Sequence, residues 1–130
     1  MNEEIEPYLK VTWHRGGRLQ TKTFKVNWRN IGRSVRRASD FFTEKWFHDR
    51  YANLDLVGDD GFEHPLVMGA SLYRDLGLDD IFLEIDKEKI KNLVFEHAIR
   101  RMRECMESKS GIKGFVDKIT QKLKGKLKLY

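Results

Sequence analysis

Cysteine is nearly absent from this chain of 130 residues: Cys105 stands alone, so no disulfide can close within it. That usage fits a reducing compartment, and the expected setting is intracellular and cytoplasmic. Apolar runs are short as well, and none approaches the roughly 20 residues needed to cross a bilayer. The opening MNEEIEPY is acidic and has no apolar stretch of the kind that marks a secretory signal. Histidine is sparse, and His14, His48, His64 and His97 lack metal-ligand spacing. Phe95-Glu96-His97-Ala98 is not a zinc-protease helix, and Gly16-Gly17 lacks the Lys-Ser/Thr pair of a phosphate-binding loop. Neither a catalytic residue nor a cofactor or metal is expected, and the sequence reads as a binding protein rather than an enzyme.

Acidic residues are missing from one whole stretch. Residues 7–39 carry nine Lys/Arg and no Asp/Glu, whereas residues 40–86 carry twelve acids against Lys45, Arg50 and Arg74. Residues 111–130 hold six lysines against Asp117. A nucleic-acid-binding domain usually shows one broad basic face. A basic half followed by an acidic half suits a protein-binding module better.

What is present is enough to fold. Eight Phe, three Trp and 40% hydrophobic residues supply a core. Tyr8 to His14 alternates, with Leu9, Val11 and Trp13 on one side, and predicts a strand. Arg15-Gly16-Gly17-Arg18 is a tight turn, and Leu19 to Val26 returns with Phe24 and Val26 inward. Asn27 or Asn30 caps a helix whose stripe is Ile31, Val35, Ala38, Phe42 and Trp46, with Arg33, Arg36 and Arg37 on the opposite side. A third strand is predicted over 53–57, an Asp59-Asp60-Gly61 turn, and a return over 62–67 in which Pro65 signals a sheet edge. Ser71 to Leu78 reads as a short helical turn capped by Ser71 and ended by Gly77. A last strand is expected over Ile81–Ile85.

The opening hairpin, the Asp-Asp-Gly hairpin and Ser71-Leu72-Tyr73-Arg74-Asp75-Leu76-Gly77-Leu78 before a final apolar strand resemble a ubiquitin-like (β-grasp) domain. The resemblance implies an α+β fold in the order ββαββ-turn-β over residues 1–86, followed by amphipathic helices. It does not imply a conjugated modifier, because such a modifier ends in an exposed Gly-Gly and this chain ends Lys128-Leu129-Tyr130. Beyond it, residues 87–110 predict an amphipathic helix with a stripe of Ile90, Leu93, Val94, Ala98, Met102, Cys105 and Met106. Residues 111–130 predict a basic amphipathic tail, with Ile112, Phe115, Val116, Ile119 and Leu123 on one side and Lys118 and Lys122 among the cations.

The expected function is a non-enzymatic adaptor or assembly subunit, with cytoskeletal or ciliary assembly as one setting. Candidate partner-binding residues are Tyr8 and Phe82 on the outer sheet face, together with Arg15, Arg18, Lys22, Trp28, Arg33, Arg36 and Arg37. The basic edge formed by Arg15, Arg18, Lys22 and Lys25 has two readings. It either meets an acidic edge of another chain or simply solvates the fold. The tail has three: folding back on the domain, docking into a partner, or lying on an anionic membrane, where each lysine adds about 1 kcal/mol. A membrane- or nucleic-acid-binding module is the alternative, with nucleic acid disfavoured because alternation assigns Trp13 and Phe24 to the core.

Overall fold

A computed structural model describes residues 6–78 and 86–107. Strands β1 (Tyr8–Arg15) and β2 (Arg18–Lys25) form a hairpin, followed by helix α1 (Ile31–Trp46), strands β3 (Asn53–Val57) and β4 (Glu63–Met68), a 3-10 turn (Gly69–Ser71), helix α2 (Leu72–Asp75) and helix α3 (Lys87–Glu107). The class is α+β, with one four-stranded antiparallel sheet and helices packed on it.

The β1–β2 hairpin is continuous over eight residue pairs, from Tyr8 opposite Lys25 to Arg15 opposite Arg18. Gly16 and Gly17 both have positive φ (59° and 75°), the conformation that a two-residue hairpin with the native strand twist requires. Asn30 caps α1, its side chain accepting a hydrogen bond from the Arg33 amide at 3.1 Å. Every residue of the expected stripe, Ile31, Val35, Ala38, Phe42 and Trp46, is buried. They meet Leu9 and Val11 of β1, Leu54 and Leu56 of β3, and Leu66 and Val67 of β4 in one cluster.

The sheet order is β2-β1-β3-β4. Both sides of β1 are therefore occupied, by β2 and by β3, each antiparallel to it. The ββαββ chain order follows the sequence expectation, while the strand order and helix placement differ from a ubiquitin-like arrangement in detail. The expected strand over 81–85 and its Phe82 lie outside the described residues. Pro65 does sit on an edge strand, and the β3–β4 register shifts beside it, between Leu54 and Asp55.

Helix α3 packs against α1 and β4, on the sheet face that α1 already covers. Its Ile90, Val94, Ala98 and Met102 are buried in the same cluster as the α1 stripe. At its N-terminal end Lys91 and Lys87 both reach Glu44 of α1, at 3.0 and 3.2 Å. Those lysines, hydrogen-bonded to it, hold the Glu44 carboxyl below its ordinary value. The α2 segment departs from expectation at its cap. Ser71 makes no capping bond to the helix backbone and instead donates to the Asp75 carboxylate at 2.7 Å. The hydroxyl proton goes to a charged acceptor one turn away, a stronger bond than one to a neutral oxygen.

On the other face of the sheet, Lys10 pairs with Glu63, and Asp55 lies opposite Lys10 in the β1–β3 register. Burial, reinforced by the neighbouring Glu63 carboxylate and opposed by Lys10, raises the Asp55 carboxyl above its ordinary value. A carboxyl with a raised folded pKa opposes folding once ionised, and the penalty vanishes below the pKa of the unfolded chain. Asp55→Asn is therefore expected to raise the urea midpoint at pH 7 and to leave it unchanged near pH 3. An equal gain at both pH values would refute the ionisation account.

Candidate interaction surface

Between the edge strand β2 and the flank of α1 lies a groove of about 720 Å³. Lys22, Phe24 and Lys25 of β2 line it, continued by Val26 and Asn27. Arg33 and Arg37 of α1 form the opposite wall. Lys22, Lys25, Arg33 and Arg37 are all exposed, and none makes an ion pair among the described residues. Lys22, Arg33 and Arg37 thus converge on one groove without an ion-pair partner among the described residues, while the Lys25 side chain starts from the outer face of β2.

The sequence produces this by geometry. Arg33 and Arg37 are four residues apart, so they stack on one flank of α1. Phe41 and Lys45 continue the same row, which runs about 18 Å from Arg33 to Lys45. Phe41 meets Trp13 and Phe24 edge-on, with ring centroids 5.3 and 5.5 Å away. Lys22 lies 5.2 Å from the Phe41 ring, and Lys45 lies 4.9 Å from Trp13 and 5.0 Å from Phe41. Phe24 of the groove thus continues into an aromatic cluster with Phe41 and Trp13 that the Lys22 and Lys45 ammonium groups roof. Trp13 and Phe24 are half-buried and packed on the core.

A second hollow of about 360 Å³ lies beside it, lined by Trp13, His14, Arg15, Lys45 and His48. Asp49 anchors this end, accepting from the His14 amide at 2.7 Å, lying 3.1 Å from His14 Nδ1, and accepting from the Tyr51 amide at 3.0 Å. Burial pushes the Asp49 carboxyl up, but the His14 and Tyr51 amides and the His14 ring outweigh it and hold the group below its ordinary value.

The sequence candidates divide accordingly. Lys22, Arg33 and Arg37 meet in the groove, while Arg15 and Arg18 sit at the hairpin tip beyond it. Arg36 faces elsewhere: it binds Asp40 at 3.1 Å and Asn92 at 2.7 Å, and lies 5.3 Å from the Phe95 ring, joining α1 to α3. Trp28 is half-buried and packs on the core. Tyr8, also half-buried, pairs with Lys25 and Val57 across the sheet. Lys25, expected on the basic edge, borders the groove, whereas Lys45 and Phe41 belong to the surface but are not among the sequence candidates. Lys45 stands twelve residues after Arg33 on the same helical row, a signal hidden by the acid-rich stretch around it. The tail candidates Ile112, Phe115, Val116, Ile119, Leu123, Lys118 and Lys122 lie outside the described residues. Among the described residues no group of three or more His, Cys, Asp or Glu is placed to hold a metal, and no helix is long and apolar enough to cross a membrane. Comparison with family models, with curated proteins and with solved structures finds no match to this chain.

Proposed function

We propose that this protein is a non-enzymatic, intracellular adaptor that captures an acidic segment of a protein partner in the groove between β2 and α1. The observation that carries this reading is the convergence of Lys22, Arg33 and Arg37, without counter-ions among the described residues, along a sheet edge that no other described strand pairs with. Cations so placed attract an anionic partner and steer its approach. The ββαββ order supports a ubiquitin-like ancestry for the frame, and the basic tail over 111–130 is the second contact, docking its apolar stripe on another protein.

A protein partner fits better than a single-stranded nucleic acid. Base stacking needs aromatic faces open to the ligand. Trp13 and Phe24 instead pack on the core and present their edges to, or receive the edge of, Phe41.

The full chain, its Arg33→Glu/Arg37→Glu variant and its Lys118→Glu/Lys122→Glu variant are titrated with three probes. These are a labelled Glu-rich peptide, an oligo-dT strand and phosphatidylserine vesicles. The peptide is expected to bind the parent chain, and the groove variant to weaken it about tenfold or more, two charge reversals each contributing at least about 1 kcal/mol. The tail variant is expected to leave peptide binding unchanged. Tighter binding of oligo-dT, with a steep logarithmic salt dependence, would replace this reading with nucleic-acid recognition. Vesicle binding abolished only by the tail variant, with no peptide bound, would replace it with membrane attachment.

A further inference from the structure

Resting on that reading of the groove, we infer how the acidic segment binds: it adds to β2 as a fifth, extended strand with carboxylates at every second residue. Among the described residues, strand β2 is an outer strand of the sheet, paired to β1 alone. Its eight residues contain no proline, and its register with β1 runs unbroken from end to end. Alternate backbone amides and carbonyls of β2 therefore face outward in a regular row, the template that strand addition uses. The opposite edge is different. Strand β4 carries Pro65, and its register with β3 is interrupted beside it.

Charge decides which strand the open edge accepts. A β2 strand from a second copy would bring a strand with three cations, Arg18, Lys22 and Lys25, and no acid beside an identical one, and like charges on neighbouring strands are unfavourable. An acidic strand meets no such repulsion.

Spacing then sets the pattern. Lys22 lies on the helix-covered face of β2, as its contact with Phe41 shows, and Arg33 and Arg37 stand across the groove on that same side. Arg33 and Arg37 are separated by about 6 Å along the helix axis. Alternate side chains on one face of a strand repeat every 6–7 Å or so. Carboxylates at positions i and i+2 of an added strand therefore align with successive arginines. The intervening side chains point to the other sheet face, beside Thr21, Thr23 and Lys25, where small polar residues fit.

The test uses the full chain and a labelled eight-residue peptide, the length of β2, in which Glu and Thr alternate. Its controls are a peptide of the same composition with all Glu contiguous, and two versions of the alternating peptide N-methylated at odd or at even residues. Only one parity can direct its amides at β2. Methylating that parity is expected to weaken binding about tenfold or more, and methylating the other less than about twofold. The contiguous peptide is expected to bind several-fold more weakly, and alternate β2 amides to gain protection from hydrogen exchange. If both methylated peptides and the contiguous one bind as well as the parent, carboxylates are held by charge alone. Strand addition is then overturned while the groove reading stands. If no acidic peptide binds and oligo-dT or vesicles do, the groove reading itself has failed, and this inference falls with it.

Discussion

Trp46→Ala is expected to lower the unfolding free energy by about 3–5 kcal/mol, the range for a large aromatic lost from a core. Trp46 is 1% exposed and is among the largest fully buried side chains. Its indole N–H donates to the Gly69 carbonyl at 3.0 Å, tying the end of α1 to the turn after β4. Its ring meets Phe47 and Tyr73 edge-on at 5.3 and 5.1 Å, and the Arg50 guanidinium lies 4.0 Å from its centroid. Truncation would open a cavity, leave the Gly69 carbonyl with the Leu72 amide but without the indole donor, and remove the ring beneath Arg50. Trp46→Phe should fall between, because it keeps most of the packing and loses one hydrogen bond to a carbonyl that the Leu72 amide still satisfies, a cost of about 1 kcal/mol. Urea unfolding followed by far-ultraviolet circular dichroism reads both. A loss below about 1 kcal/mol for the alanine variant would mean that this end of α1 is not part of the cooperative core.

Gly69→Ala is the companion, expected to cost about 3 kcal/mol or more although it adds one methyl group. A Cβ at this position would lie 2.2 Å from the Ala52 carbonyl oxygen, 2.6 Å from that of Arg50 and 3.0 Å from Trp46 Cδ1. Two of these neighbours are backbone, so no rotamer change relieves the overlap. The Gly69 amide also donates to the Ala52 oxygen at 2.8 Å, so moving the chain away would break the closing bond between β3 and β4. Thermal unfolding should show the midpoint falling by several degrees. An unchanged midpoint would mean that the approach of residues 50–52 to Gly69 is looser in solution.

These two residues show where the sequence was readable. The period of α1, its Asn30 cap and the bounds of β3 all follow from spacing, because burial on one side imposes it. Trp46 is legible as core for the same reason. Gly69 is not, since nothing local announces which carbonyls will approach a glycine. The order of strands was equally hidden: alternation tells which side chains face inward, not which strand lies next door. Hence β3 on the free side of β1 emerges only from the fold. The groove shows the same division. Its arginines stand out in composition, but 100° per residue turns Arg36 toward α3 while Arg33 and Arg37 line the groove wall. The Lys22 side of the groove depends on β2 being outermost, a fact of topology.

Strand β2 contributes no fully buried residue; Gln20 and Phe24 are its half-buried members. It is held chiefly by its ladder to β1, and such an element opens at a lower free energy than the core strands behind it. A wall of this kind yields to its ligand and does not impose a mould on it. Recognition through main chain and charge, against a pliant wall, is degenerate: many acidic sequences satisfy it, each modestly. Selectivity between partners then falls to whatever else each one touches, and the groove acts as a shared docking point whose occupant changes with local concentration.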